Sequence, residues 1–291
     1  MSGTLTSVPN VLGSRKGFYW LLLLPAVVFF GLFAIWPIGQ IAFLSFSDPK
    51  PGFGNYLRLF ADGGIHKLIW TTVRVSIVTT VVSIFLAYVL AYAIVHARSA
   101  QARLLIACTL IPFWLSVVVQ AFSWILLLRA NGLVNTLLIN AGIIDAPLIM
   151  MRNEFGVMVG MVHFLVPVGV MILIGNLRLI DARLTLAAKS LGASPFQAFR
   201  MIYLPLSLPG TAGATVVVFI LALGFFVTPA LLGGGKTVML AEYVSLQVLT
   251  VARWGVASML SVVLIAAVSM LLIAMSRVID LKKALFPEQN A

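Results

Sequence analysis

The amino-acid sequence predicts an all-α, polytopic membrane protein with six transmembrane helices. Hydrophobic residues make up 62% of the 291 residues and charged residues only 9%, whereas charged residues are about 25% of an ordinary soluble domain. Six apolar segments are long enough to cross a bilayer, which takes about 20 residues each. Lysine and arginine are also unevenly divided between the segments that separate these runs. Together these observations exclude a soluble globular protein.

The predicted spans divide the chain into four parts. We place the spans near residues 18–44, 68–95, 104–128, 156–177, 208–232 and 256–279. The first is far longer than a signal-peptide core and lacks a small-residue cleavage site, so we expect it to be retained. The parts are an N-terminal tail (1–17), the first span with an outer loop (18–67), a transmembrane domain (68–280) and a C-terminal tail (281–291). Residues 129–155 are broken by Asn140, Gly142, Asp145 and Pro147, and we predict a helical hairpin on the membrane surface there.

The charges orient these spans. With the amino terminus inside, eleven of the nineteen Lys and Arg residues lie on inner segments and seven on outer ones, while Arg74 lies in a span. Acidic residues are divided the other way, with three inside and five outside. The positive-inside rule therefore predicts that both termini and the segment after the fourth span are cytoplasmic. The net charge of +11 is explained by topology, and we do not infer nucleic-acid binding from it.

Residues 181–205, which we call the basic loop, interrupt the apolar pattern. Asp181 is suited to cap a short helix, Gly192 to end it in a left-handed conformation, and Ser194-Pro195 to start a second one. Each helix carries an apolar stripe, formed by Leu184, Ala187, Ala188 and Leu191 in the first and by Phe196, Phe199, Ile202 and Tyr203 in the second. Pro205 and Pro209 are expected to separate this unit from the next span. The pattern fits a compact docking element, and an ordinary solvated loop is the alternative.

The basic loop resembles the "EAA" loop of binding-protein-dependent ABC importer permeases. The matching residues are Ala187, Ala188, Gly192, Phe199 and the pair Leu204-Pro205. Leu186 stands where that family usually has Glu, which puts a salt bridge from this position in doubt. In the family this loop is the coupling helix that docks on the ATPase. The resemblance implies such a role for Arg183, Leu184, Leu186, Ala187, Ala188, Lys189, Leu191, Gly192, Ala193, Ser194, Phe196 and Phe199.

The same resemblance implies the partners and the setting. A type I importer permease in the bacterial inner membrane would pair with a second permease, identical or homologous, and with two cytoplasmic ATPase subunits. An external solute-binding protein would deliver the solute. ATP and Mg²⁺ would be held by the ATPase, and this chain would bind no cofactor. Transport would proceed by alternating access.

Residues 70–280 are similar to the permease branch that includes spermidine/putrescine importers. The segments LTLAAKSLGASPFQAF and FFVTPALLGGG carry this likeness. It implies a small organic solute, such as a polyamine, an opine or an amino-acid-like compound. No Asp or Glu lies in a predicted span, so a carboxylate-lined cation site is hard to build from this chain alone. A zwitterionic or anionic solute, or a site dominated by the second permease, is an open alternative.

The sequence contains no constellation that would make the chain an enzyme. The run Gly233–Thr237 imitates a phosphate loop, but Ala230 occupies the position of the first glycine that such a loop needs. Cys108 is the single cysteine, so no disulfide framework or thiolate metal cluster is available. We therefore expect neither a catalytic nor a metal site in this chain, and ATP hydrolysis is expected in a separate subunit.

Several polar or aromatic residues at membrane depth are candidates for the substrate path. They are Arg74, Gln120, Ser123, Trp124, His163, Phe226 and Thr228. An intramembrane ionisable residue points to function by default, although Arg74 could instead extend to the membrane interface and His163 could serve helix packing. Gly224 and Pro229 are expected to interrupt the fifth span, and Gly156 with Gly160 to mark close helix packing.

The rival interpretation is a self-sufficient secondary transporter or channel. Such a protein predicts inverted repeats and pairs of ionisable residues within the membrane. The sequence contains neither feature.

Overall fold

The computed structural model describes residues 12–278, and every regular element in this range is helical. The helices are α1 (Leu12–Phe30), α2 (Trp36–Ser47), α3 (Gly54–Ala61), α4 (Gly63–His96), α5 (Ser99–Leu110), α6 (Val117–Leu128), α7 (Leu133–Asn140), α8 (Glu154–Leu177), α9 (Ala182–Ser190), α10 (Pro195–Ala198), α11 (Leu204–Leu223), α12 (Val227–Leu232), α13 (Leu240–Leu249) and α14 (Trp254–Val278). The predicted C-terminal tail and residues 1–11 of the predicted N-terminal tail lie outside the described residues, and α1 already begins at Leu12.

Six segments are long and apolar enough to cross a membrane, as predicted. They are Leu22–Ser47, Gly63–His96, Val117–Asn140, Glu154–Leu177, Pro195–Leu223 and Trp254–Met275. The chain is thus an all-α polytopic membrane protein. Because successive spans alternate in direction, the basic loop lies at the same end of the bundle as the end of α4, the end of α8 and the end of α14.

The main core forms where α4, α8 and α11 pack against one another. Its fully buried side chains include Val75 and Ala87 on α4, Leu165 and Leu173 on α8, and Val218 on α11. A second, smaller core joins the start of α4 to α13 and α14, and α2 packs along α14. The first span has no buried residue within its most apolar part, so its surface is left to lipid or to another protein.

Side-chain hydrogen bonds tie the end of α2 to the start of α14. The carboxylate Oδ2 of Asp48 accepts a hydrogen bond of 2.7 Å from the Gly255 backbone N–H. The Asn55 side chain donates to the carbonyl oxygens of Ser45, at 3.1 Å, and Asp48, at 2.7 Å. Asn55 is buried, and a buried polar group with its partners in place rigidifies its surroundings. We call Ser45, Asp48, Asn55 and Gly255 the outer junction.

The prediction that residues 104–128 form one continuous third span is wrong. Helix α5 ends at Leu110, a 3₁₀ turn covers Pro112–Trp114, and α6 begins only at Val117. Pro112 lacks the N–H that would continue α5, and Leu115 is extended (φ −74°, ψ 146°). The apolar segment that qualifies as the third membrane helix instead comprises α6 and α7, with a bend at residues 129–132.

The predicted surface hairpin at residues 129–155 is also wrong, because only its first arm is helical. After α7 the chain turns at Gly142 (φ 67°) and remains irregular to residue 153. The Asn135 side chain holds this segment: its Oδ1 accepts from the Leu148 N–H at 2.9 Å, and its Nδ2 donates to the Leu148 carbonyl at 3.1 Å. One amide side chain thus takes the place of a backbone partner.

The fifth span begins earlier than predicted, because α10 runs on through a π turn at Phe199–Tyr203 into α11. Pro205 and Pro209 were expected to separate the basic loop from the fifth span, yet both lie within α11. A proline cannot donate to the carbonyl four residues back and clashes with it. The wider π turn, in which the Leu204 N–H bonds to the Phe199 carbonyl, accommodates this defect. At the other end the interruption predicted at Gly224 is confirmed, since α11 stops at Leu223 and α12 starts at Val227. Pro229, which was also expected to interrupt the span, lies within α12.

Candidate functional site

The first half of the basic loop is a capped helix ended by a glycine turn. The Asp181 side chain accepts a hydrogen bond of 2.8 Å from the Arg183 N–H at the start of α9. At the other end the Ala193 N–H bonds to the Ala188 carbonyl and the Gly192 N–H to the Lys189 carbonyl. This pair of bonds is the Schellman motif. Gly192 has φ +93°, so the predicted cap and left-handed turn are both confirmed.

The second half begins with a reciprocal cap. The Ser194 hydroxyl accepts from the Gln197 N–H at 3.2 Å, and the Gln197 side chain accepts from the Ser194 N–H at 2.8 Å. Pro195 occupies the first helical position, where its missing N–H costs nothing. The predicted restart at Ser194-Pro195 is therefore confirmed. The two caps and the Schellman turn fix the shape of the loop without help from the membrane-embedded core.

The loop presents large apolar side chains away from the bundle. None of the α9 residues is buried, and the exposed fraction is 58% for Leu186, 89% for Leu191 and 68% for Phe196. Of the residues assigned to docking, only Ala188, Ala193 and Phe199 are half-buried, whereas Arg183, Leu184, Ala187, Lys189, Gly192 and Ser194 are also exposed. The first apolar stripe, formed by Leu184, Ala187, Ala188 and Leu191, thus largely faces outward. Exposed apolar side chains of this kind are typical of an interaction site, and their docking role stays a prediction.

The basic side chains of the loop have no acidic partner among residues 12–278. Arg183, Lys189 and Arg200 are exposed. The ion pair found within residues 12–278 lies outside the loop and joins Arg74 to Glu154. The loop therefore combines positive charge with exposed leucine and phenylalanine. An acidic surface with an apolar cleft would complement it.

Two of the predicted path residues meet between α6 and α8. The Trp124 Nε1–H donates to His163 Nδ1 at 3.2 Å, and the two rings are 5.6 Å apart in an edge-to-face arrangement. Sequence analysis missed a second aromatic group around Phe164, whose ring lies 5.4 Å from that of Phe113 and 5.2 Å from that of Phe225. No spacing pattern in the sequence connects these rings, because they lie on three separate parts of the chain.

The other candidates at membrane depth have structural partners. The buried Gln120 side chain donates to the carbonyl of Pro112, which fixes the 3₁₀ turn on α6. The Ser123 hydroxyl bonds to the Val119 carbonyl at 2.9 Å. Thr228 is buried against α8, where a Cβ atom at Gly160 would lie 2.6 Å from its methyl group. Phe226 is exposed at the break between α11 and α12. Their role in a substrate path stays a prediction.

Of the two small residues predicted to pack against another helix, Gly156 and Gly160, only Gly160 does so. Gly160 packs on α12, as expected, since a side chain there would overlap Thr228 and Leu232. Gly156 instead packs on the preceding loop, where a Cβ atom would lie 2.7 Å from the Met150 carbonyl oxygen.

The glycine run after α12 forms a tight turn. Gly234 and Gly235 have positive φ angles of 59° and 73°, and Gly234 lies against the side chain of Arg152. Nearby, burial raises the pKa of the Glu242 carboxyl, and the hydrogen bond that it accepts from the Met239 N–H opposes that rise. Within residues 12–278, no group of three His, Cys, Asp or Glu side chains converges to hold a metal ion.

Arg74 forms an ion pair with Glu154 at the first turn of α8. The side chains are 48% and 30% exposed, and exposed pairs contribute at most about 1 kcal/mol. We expect Arg74→Gln to change the free energy of unfolding by less than about 1 kcal/mol, measured by denaturant titration in detergent. Glu154→Gln is the matched control, and the double variant should equal either single one. A loss of several kcal/mol would contradict this assignment.

Comparison with known proteins agrees with the fold. No protein-family model matches the chain. It is 28% identical over 218 residues to the Haemophilus influenzae spermidine/putrescine transport system permease protein PotB, covering 75% of this chain and 76% of that one. It is 29% identical over 222 residues to the Mycobacterium tuberculosis trehalose transport system permease protein SugB, covering 72% and 74%.

A solved structure shows the same architecture at low sequence identity. It is a bacterial alginate ABC transporter in complex with an alginate pentasaccharide-bound periplasmic protein, which the chain matches with a TM-score of 0.75 at 18% identity, covering 90% of this chain and 93% of the matched chain. The six-span α-helical fold is therefore that of an ABC importer permease. Its relatives in sequence are transport-system permeases, so the chain is a homologue of the permease subunits of ABC importers.

Proposed function

We propose that the chain is the transmembrane permease subunit of an ATP-driven importer that moves a small organic solute across the bacterial inner membrane. The observation that supports this most directly is the basic loop. It is a preformed helix-turn-helix at one end of a six-span bundle, with exposed apolar and basic side chains that the bundle does not use.

The basic loop of this chain is the docking site for one partner ATPase subunit, and the corresponding loop of the second permease is the docking site for the other. Leu186 replaces the Glu usual in ABC permeases of this type and is exposed, so docking depends on the apolar surface around Leu191 and Phe196 and on Arg183 and Lys189. ATP and Mg²⁺ belong to the ATPase. The charge distribution supports a cytoplasmic position for this loop and for both termini.

The solute is of the polyamine class or a related small organic compound. Similarity to spermidine/putrescine permeases favours a polyamine. Trp124 and His163, with the partly buried rings of Phe113 and Phe164, supply aromatic surface that a path for an organic cation can use. Glu154, at the start of α8, is paired with Arg74. The second permease, homologous to this chain, is therefore expected to supply the carboxylates of a cation site. An external solute-binding protein delivers the solute, as the periplasmic protein seated on the alginate transporter suggests.

Transport follows an alternating-access cycle. Closure of the ATPases on ATP displaces the two basic loops, and the continuous helix from α10 into α11 transfers this displacement to the membrane-embedded core. Solute and ATP act through their different affinities for the inward- and outward-facing states. The chain itself makes or breaks no covalent bond.

Co-purification tests this proposal. The chain is extracted from its native membrane in mild detergent, and associated subunits are identified by mass spectrometry. We expect an ATPase, a second permease and a secreted binding protein, and uptake by the reconstituted complex should require ATP. Recovery of the chain alone, active in uptake without ATP, would overturn the proposal and favour a secondary transporter or channel.

A further inference from the structure

The end of α4 and the helix that leaves the basic loop carry matching polar-aromatic stripes. On α4 the stripe recurs every four residues, at Tyr88, Tyr92 and His96. On the facing helix it recurs with the same spacing, at Phe199, Tyr203 and Ser207. Residues four apart share one face of a helix, so the two stripes can pair along their length.

Four of these side chains form an aromatic cluster, which we define as Tyr92, His96, Phe199 and Tyr203. The Tyr92 ring lies 5.2 Å from Tyr203 and 5.5 Å from Phe199, edge-to-face in both cases. The His96 ring lies 4.2 Å from Tyr92 and 5.3 Å from Tyr203. Edge-to-face rings at these distances attract each other beyond the burial of their area.

One turn further into the bundle, the contact becomes a hydrogen bond. The hydroxyl groups of Tyr88 and Ser207 are 2.8 Å apart, and both side chains are at least half-buried. The two helices are therefore joined by rings at the loop end and by a hydroxyl pair deeper in the bundle. This pairing fixes the axial position of the two helices relative to each other as well as the distance between them.

The cluster lies at a junction between the basic loop and the bundle. Helix α9 packs on α10 and on the π turn, and none of its residues is buried. The π turn itself holds two members of the cluster, Phe199 and Tyr203. Helix α4, on the other side, is 34 residues long and packs on both α8 and α11.

We propose that the aromatic cluster is the contact through which the basic loop moves α4 when a partner ATPase binds ATP. This inference depends on the proposed function, and it assigns a positioning role to Tyr92, His96, Phe199 and Tyr203. Displacement of the loop carries the π turn with it, and the ring contacts transmit that displacement to the end of α4. The cluster acts on the transport cycle without touching the solute.

Two substitutions of Tyr203 separate the effect of its ring from the effect of its hydroxyl group. Its hydroxyl is buried and has no hydrogen-bond partner in the structure, so Tyr203→Phe keeps every ring contact and loses no bond. Tyr203→Leu keeps an apolar side chain but removes the ring. Tyr92→Leu removes the same contact from the α4 side. Phe33→Leu, which breaks the ring pair of Phe29 and Phe33 in the first span, is the control for the loss of an aromatic contact elsewhere.

The experiment follows α4 directly and uses Mg-ATP with vanadate as the probe. Spin labels are placed at Arg98→Cys, just after the cluster end of α4, and at Arg277→Cys, near the end of α14, both of which are exposed. The background is Cys108→Ser, and the complex with its ATPase is assembled. We expect a nucleotide-dependent distance change in the parent, in Tyr203→Phe and in Phe33→Leu. In Tyr203→Leu and Tyr92→Leu we expect this distance change to be lost, while ATP hydrolysis and ATPase co-purification persist.

The outcomes separate this inference from the proposed function. A parent complex that contains no ATPase, or that hydrolyses no ATP, would overturn the proposed function. The role of the cluster would be overturned, and the proposed function would stand, in either of two cases. The parent complex could hydrolyse ATP without a change in the α4 distance, or the leucine variants could retain the full distance change. Loss of ATPase binding in both leucine variants would place the cluster in docking and would also overturn the inference.

Discussion

Gly255→Ala is expected to lower the free energy of unfolding by about 3 kcal/mol or more, because the added methyl group would have nowhere to go. A Cβ atom at this position would overlap the Asp48 carbonyl oxygen and lie 2.8 Å from the Asn55 side-chain nitrogen. Both neighbours are held by the outer junction, so neither can withdraw cheaply. The backbone must shift and weaken the hydrogen bond from the Gly255 N–H to the Asp48 carboxylate.

The measurement is denaturant titration in detergent, together with the yield of monodisperse protein. Gly39→Ala is the matched control, because Gly39 lies in α2 and a Cβ atom there meets nothing within 4 Å. That control should be neutral or stabilised by up to about 1 kcal/mol, the usual gain from replacing a helical glycine. If Gly255→Ala were as stable as Gly39→Ala, the outer junction would be flexible rather than rigid.

Local features of this structure could be predicted from sequence. Asp181, Gly192 and Ser194 each act on backbone within three or four residues, so their caps and turn follow from residue type and spacing. The six spans follow from the length of the apolar runs. The errors arise where hydrogen bonds other than those of a regular α-helix hold the backbone. The side chain of Asn135 replaces the second arm of the expected hairpin, and the π turn before Pro205 keeps α10 joined to α11.

The candidate sites also divide into those that local sequence could predict and those that depend on packing between helices. The composition of the basic loop indicated a docking element because each of its helices carries its own pattern. The contact between Trp124 and His163 spans 39 residues and needed the packing of α6 on α8. The aromatic cluster was missed, although its signal was present: Tyr92 and His96 end one span, Phe199 and Tyr203 begin another, and each pair is four residues apart. Matching stripes at adjoining helix ends are a pattern worth testing in other membrane chains.

Gly192→Val is expected to reduce ATP-dependent uptake about tenfold or more while the protein still inserts and folds, because the basic loop can no longer hold its turn. Gly192 has φ +93°, and a Cβ atom there would meet nothing within 4 Å. The requirement for glycine therefore comes from backbone conformation and not from space within this chain. The left-handed conformation is about 1–2 kcal/mol less favourable for an L-residue with a Cβ atom, and it is still less favourable for a β-branched residue.

A graded series separates this cause from simple loss of a docking surface. Asn enters the left-handed region several-fold more readily than most residues, so Gly192→Asn should retain more uptake than Gly192→Ala, and Gly192→Val should retain the least. Gly175→Ala is the control, since Gly175 is a helical glycine of α8 with open space around it. Equal uptake by the Asn and Val variants would show that the left-handed turn is not what the loop requires. Normal uptake by Gly192→Val would contradict the coupling role of the loop, because a strained turn must displace Leu191 and Phe196 relative to each other.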